Sequence, residues 1–97
     1  MRVRYAPRAI GEIDRIIRYV ARKNPAGADR LAHAIERKVA QLSANASSGH
    51  ETDFPGLLET FLTKYPYRIL YALKDGQLRI ASVRHTSRRW PVRIGID

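Results

Sequence analysis

The chain has 97 residues, with 18 lysines and arginines against 9 acidic residues, a net charge of +9 and no cysteine. That length allows one small domain, 1–97, and the charge points to a polyanionic partner: RNA, DNA or an acidic protein. Disulfides and thiolate chemistry are excluded, no apolar run is long enough to span a bilayer, and "MRVRYAPRAIGEID" lacks the hydrophobic stretch of a secretory signal, so a cytoplasmic protein is expected.

"MRVRYA" alternates Val3 and Tyr5 with Arg2 and Arg4, which is the period of a strand. Pro7 then suits the first turn of a helix, where its missing N–H costs nothing. Ile10, Ile13, Ile17 and Val20, with Ala9 and Ile16 beside them, predict an amphipathic helix over about residues 7–22. Asp14 and Arg18 lie i, i+4 on its polar side. Asn24 can cap a second helix and Pro25 can take its first position. Ala28, Leu31, Ile35, Val39 and Leu42 form the apolar stripe of that helix, which ends near the loop "SANASSGH". Two helices with so short a join read as an antiparallel αα-hairpin.

The period then changes. "FPGLLETFLTKYP" contains a turn and a short strand around Leu58–Thr63. In "YRILYALKDGQLRIASVRH" two β-rich runs flank Asp75-Gly76, a strong hairpin signal. With a two-residue loop, Leu73 faces Leu78, Tyr71 faces Ile80, Ile69 faces Ser82 and Tyr67 faces Arg84. One face of the hairpin is then apolar enough to lie under the helices. The other is mixed, and its cations include Arg68 at one end. The order is βααβββ, an α+β fold with a small antiparallel sheet and the αα-hairpin packed on one face. The first strand inserts beside a later one.

That register puts Arg68 and His85 on the same face, near one end of neighbouring strands, with Arg84 adjoining. Arginine can stabilise charge on a phosphate in flight, and histidine can move a proton near neutral pH. With bound RNA, this is the minimum set for attack of a 2′-OH on the adjacent phosphate, with Glu59 the nearest candidate base. The alternative is a pair of solvated cations on an open sheet. His33, His50 and His85 match no metal-ligand spacing, so neither metal nor cofactor is expected; Asp29 and His33 read as a surface i, i+4 pair. Tyr65, Tyr67 and Tyr71 could stack bases, but Tyr71 falls on the apolar face and reads as core. Trp90, between Arg89 and Pro91, reads as an anchor or a partner contact. Arg8, Arg15, Arg18, Arg22, Arg30, Arg37 and Lys38 decorate the helices, either as a solvated face or as an electrostatic seat for an acidic protein segment.

The order βααβββ, the helical "AIGEIDRIIRYVARKNPAGADRLAHAIERKVAQL", the "PG" before the second strand, "YRILYALKDGQLRIASVRH" and the ending "HTSRRW" together resemble the RelE/ParE family over residues 3–91. These are the toxins of type II toxin–antitoxin modules. The resemblance implies a small basic bacterial toxin in a hetero-oligomer with a co-encoded antitoxin, whose partly acidic C-terminal segment wraps it. Arg15, Arg18 and Arg22 are then the expected antitoxin contacts. RelE-like members cut mRNA in the ribosomal A site. ParE-like members inhibit DNA gyrase by binding. Arg68 and Arg84 correspond to arginines of the nuclease members, and with His85 they form the nuclease set. However, the tyrosine after Tyr71 is missing, "ETFLTK" offers only Lys64 for a lysine pair, and "H-x-S-R-R-W" is closer to ParE-like endings. The favoured expectation is a non-enzymatic gyrase inhibitor that touches its partner through Arg84, His85, Arg88, Arg89 and Trp90. A cut after Ser82 is expected to abolish toxicity and spare the fold. The alternative is a ribosome-dependent mRNA endonuclease.

Overall fold

The computed structural model describes residues 1–87, so Arg88, Arg89 and Trp90 lie outside the described residues. In chain order it comprises β1 (Arg2–Tyr5), α1 (Pro7–Ala21), α2 (Pro25–Ala44), a 3-10 turn (Ala46–Ser48), β2 (His50–Glu51), β3 (Leu58–Phe61), β4 (Tyr67–Lys74) and β5 (Gln77–His85). Pro7 opens α1 and Pro25 opens α2, whose cap is the Asn24 side chain accepting from the Gly27 N–H at 2.9 Å. Both helices begin where the sequence predicts.

The five strands form one sheet in the order β1-β5-β4-β3-β2. Two features differ from the expected architecture. The sheet is mixed, because β1 runs parallel to β5, with Val3 opposite Leu78 and Tyr5 opposite Ile80. A fifth, two-residue strand, β2, also pairs His50 with Glu59 at the far edge. The α1–α2 excursion returns the chain so that β1 takes the outer edge of β5 in the same direction.

Asp75 (φ 54°) and Gly76 (φ 70°) both take the left-handed conformation that a two-residue hairpin turn requires. From the turn, Leu73 faces Leu78 and Tyr71 faces Ile80, as expected. The register then slips by one residue. Leu70 faces Ser82, Ile69 faces Val83, Arg68 faces Arg84 and Tyr67 faces His85. Ala81 is the extra residue of a β-bulge. The slip has a packing reason. It seats Val83, 1 % exposed, against Ile69 in the helix-side core, where the unslipped register would have put the hydroxyl of Ser82.

That core joins Leu31, Ile35, Val39 and Leu42 of α2 to Ile69, Tyr71, Leu78, Ile80 and Val83 of the sheet, with Ile13, Ile16, Ile17 and Val20 of α1 packed against it. The Tyr71 hydroxyl donates to the Ala46 carbonyl at 2.8 Å and so ties the 3-10 turn to the core. Gly49 makes that approach possible, since a Cβ there would lie 2.8 Å from Tyr71 Cζ and 2.9 Å from the Glu59 carbonyl oxygen. On the opposite face a smaller cluster of Leu57, Leu70 and Ala81, with Phe54 against it, sits under the β2–β3 loop.

Candidate functional site

β1 ends at Tyr5, and its last bond to β5 runs from the Ala6 N–H to the Ile80 carbonyl at 2.9 Å. Beyond that point the outer edge of β5 has no strand beside it, and Glu12 of α1 takes its place. One carboxylate oxygen accepts from the Val83 N–H at 3.1 Å and from the Ser82 hydroxyl at 2.8 Å. The other oxygen lies 3.5 Å from Arg84 Nη2, and Arg84 Nε donates to Ser82 Oγ at 3.2 Å. Glu12 is 7 % exposed, so this is a buried charge with every hydrogen bond supplied by one strand end. It ties α1 to the end of β5 from which Arg84 and His85 project. Sequence reasoning did not single out Glu12, although Ala9, three residues before it, and Ile16, four after it, both turn inward.

Arg68 leans the other way. Its guanidinium lies 3.4 Å from Glu59 Oε2 of β3 and donates to the Thr86 carbonyl at 2.9 Å. The expected same-face pair of Arg68 and His85 is therefore not formed. The bulge places His85 beside Tyr67 on the helix side, rings 5.4 Å apart and edge to face, while Arg68 shares the opposite face with Glu59. His85 Nδ1 accepts from the Ser87 backbone N–H at 3.1 Å and lies 2.8 Å from the Ser87 hydroxyl. A backbone N–H can only donate, so a neutral His85 ring carries its proton on Nε2. Glu59, the expected base, is held by Arg68.

His85 and Arg84 line a cleft of about 210 Å³ with Glu12, Arg15, Ile16, Tyr19, Tyr67 and Val83. Burial, and then the neighbouring Tyr19 phenol, push the Tyr67 phenol above its ordinary value. Arg15 thus joins the target-contact candidates, whereas Arg18 pairs with Asp14 at 3.0 Å on the exposed side of α1 and Arg22 caps that helix at its C-terminus. A second depression, between α1 and α2, is apolar: Tyr5, Ile10, Ile13, Ile17, Ala32 and Ile35, with Asp14 and Glu36 on its rim. Ile10 is 57 % exposed there. Burial, and then the Glu36 carboxylate, raise the Tyr5 phenol. Among the described residues no three of His, Cys, Asp and Glu gather around a common point, and no helix is long and apolar enough to cross a membrane.

The model of the family described as the ParE toxin of the type II toxin–antitoxin system parDE matches residues 3–90. The chain belongs to the ParE toxin family. It is 29 % identical over 90 residues to the Sinorhizobium fredii protein named "Putative toxin Y4kP", covering 93 % of each chain. Its fold matches a chain of a chromosomal ParDE toxin–antitoxin system from P. aeruginosa with a TM-score of 0.78 at 20 % identity, over 88 % of this chain and 95 % of that one. It also matches the isolated E. coli RelE toxin (TM-score 0.65, 16 % identity, 91 % and 86 % covered) and a chain of the YoeB–YefM complex from Staphylococcus aureus (0.59, 14 %, 88 % and 95 %). The protein is thus a ParE-family toxin of the type II toxin–antitoxin class, and its α+β fold is shared with these solved structures.

Proposed function

We propose that this ParE-family toxin inhibits DNA gyrase by contact and is neutralised by a co-encoded antitoxin in a hetero-oligomer. The observation that carries the reading is the state of the nuclease candidates. Arg68 is held by Glu59 and Arg84 by Glu12, and His85 faces away from Arg68. A phosphoryl-transfer site needs its cations and its proton carrier aimed at one phosphate, and these three do not converge. His85 instead forms part of a cleft wall with Tyr19 and Tyr67, the mixture of aromatic and cation that suits a protein contact. The partner-contacting surface in this reading is that cleft together with Arg84, His85, Arg88, Arg89 and Trp90.

The antitoxin reading rests on the apolar depression between α1 and α2. Ile10, exposed, with the half-buried Ile13 and Ile17 along the same side of α1, suits the apolar side of an added segment, and the exposed Arg18 and Arg22 on α1 suit its acidic residues. The E. coli RelE-like nuclease activity is the competing reading, with mRNA on the ribosome as substrate.

The test is plasmid supercoiling by purified gyrase with the full chain titrated in. The expected outcome is inhibition relieved by antitoxin. The informative truncation falls after Ser87, because Val83 is core and its N–H is held by Glu12, so a cut after Ser82 would open the fold. The chain ending at Ser87 is expected to keep its circular dichroism and lose inhibition. Supercoiling that proceeds unchanged at saturating toxin contradicts the reading.

A further inference from the structure

Another concavity belongs to neither surface described above. It lies between the outer side of α2 and the β3–β4 loop, has a volume of about 350 Å³, and is lined by Arg30, His33, Arg37, Lys38, Lys64 and Tyr65 among others. No carboxylate lines it. The three ion pairs between described residues are Asp14–Arg18, Glu59–Arg68 and Glu12–Arg84, so none of the four cations in this cleft has an acidic partner among the described residues. Arg30 and Arg37 are seven residues apart on one helix, which sets them about 10 Å apart along its axis. Lys38 stands beside Arg37, and Lys64 faces them from the loop. Four unpaired cations on one groove repel one another, and an anion that spans them relieves that cost.

We infer that this cleft binds the phosphate backbone of duplex DNA. Three features choose that occupant. The lining offers no row of exposed apolar side chains, since Leu62 is buried, and stable protein contacts need such anchors. The groove between α1 and α2 has them and this one does not. Single-stranded nucleic acid is held by successive aromatic platforms, and here Tyr65 stands alone and half-buried. Arg30, Arg37 and Lys38 along one helix, with Lys64 across from them, match a phosphate ridge held mainly by charge. The inference rests on the gyrase reading for its biological setting, since gyrase holds duplex DNA. The site would seat the toxin on that DNA while the His85 cleft meets protein.

The test is fluorescence anisotropy of a short random-sequence DNA duplex with the full-length protein and no gyrase present, across a salt series. Binding is expected to weaken steeply with salt. R37Q/K38Q is expected to lower affinity at least about tenfold at low salt and to reduce the log–log salt slope by about 2, since each lost phosphate contact removes about 0.9. R2Q/R4Q removes the same charge from β1 and is expected to bind like the parent. Glutamine is a good helix former, so α2 keeps its helix at the exposed Arg37 and the half-buried Lys38. Equal weakening by both double variants would reduce the effect to net charge and overturn the inference. So would tenfold tighter binding of single-stranded RNA or of polyglutamate. DNA binding that survives alongside unhindered supercoiling would sink the gyrase reading and leave this site standing.

Discussion

Two regions of this toxin carry positive charge in opposite ways. At the end of β5, Arg84 is bound to a buried carboxylate, and on the neighbouring strand Arg68 is bound to Glu59. Along α2, Arg30, Arg37 and Lys38 line a groove with Lys64, and no acidic group among the described residues answers them. The same residue type therefore serves folding in one place and is left available to a ligand in the other. An arginine at the end of a strand in a toxin fold invites a catalytic reading, but its partner decides. A guanidinium that already neutralises a buried carboxylate has little left for a transition state.

The contrast is broken most severely at Glu12. Glu12→Ala leaves the Val83 N–H and the Ser82 hydroxyl without their acceptor and Arg84 without its counter-charge. The expected loss is about 2–4 kcal/mol in urea denaturation, within the range for breaking a buried pair. No measurable loss would make the pair ornamental. Tyr71→Phe comes next, at about 1 kcal/mol, because the Ala46 carbonyl loses a 2.8 Å hydrogen bond. The same residue fixes a pH dependence. Burial raises the Tyr71 phenol, partly offset by its hydrogen bond with the Gly49 backbone, so the fold favours the protonated form. Its contribution is fully present below the unfolded phenol value of about 10 and is lost as pH rises through the folded value. A pH-resolved denaturation series should show the parent losing more stability in that alkaline window than Tyr71→Phe. The smallest effect belongs to the exposed Asp14–Arg18 pair, 56 % and 75 % exposed, where Arg18→Ala should cost no more than about 0.5 kcal/mol by the same denaturation.

Much of the fold was legible because it is local. The inward set of α2 contains the predicted stripe of Ala28, Leu31, Ile35, Val39 and Leu42, and the Asp75-Gly76 turn sets the hairpin as far as Tyr71. The bulge at Ala81 was not read, because a constant register was carried along the whole strand. Its signal was nonetheless present: Ile69 opposite Ser82 buries a hydroxyl against isoleucine, and one extra residue brings Val83 there instead. That single slip moved His85 to the helix side and took apart the expected Arg68–His85 pair. The direction of β1 was not legible either, since its alternation fits a parallel or an antiparallel neighbour equally well. Of the candidate site, Arg84 and His85 do share a cleft, but its organising residue is Glu12, a charge hidden among the inward positions of α1.

The central claim is that the toxin works by contact and does not turn over. The most direct measurement is mRNA integrity in a purified translation system, with the toxin at about one hundredth of the ribosome concentration and the products read by primer extension. The account predicts intact message at that ratio, as Arg68 and Arg84, each held by a carboxylate, are not free to steady the charge on a phosphate under attack as its 5′-oxygen leaves. Cleavage that accumulates over many turnovers and disappears with Arg68→Ala would contradict it and make this ParE-family chain an enzyme.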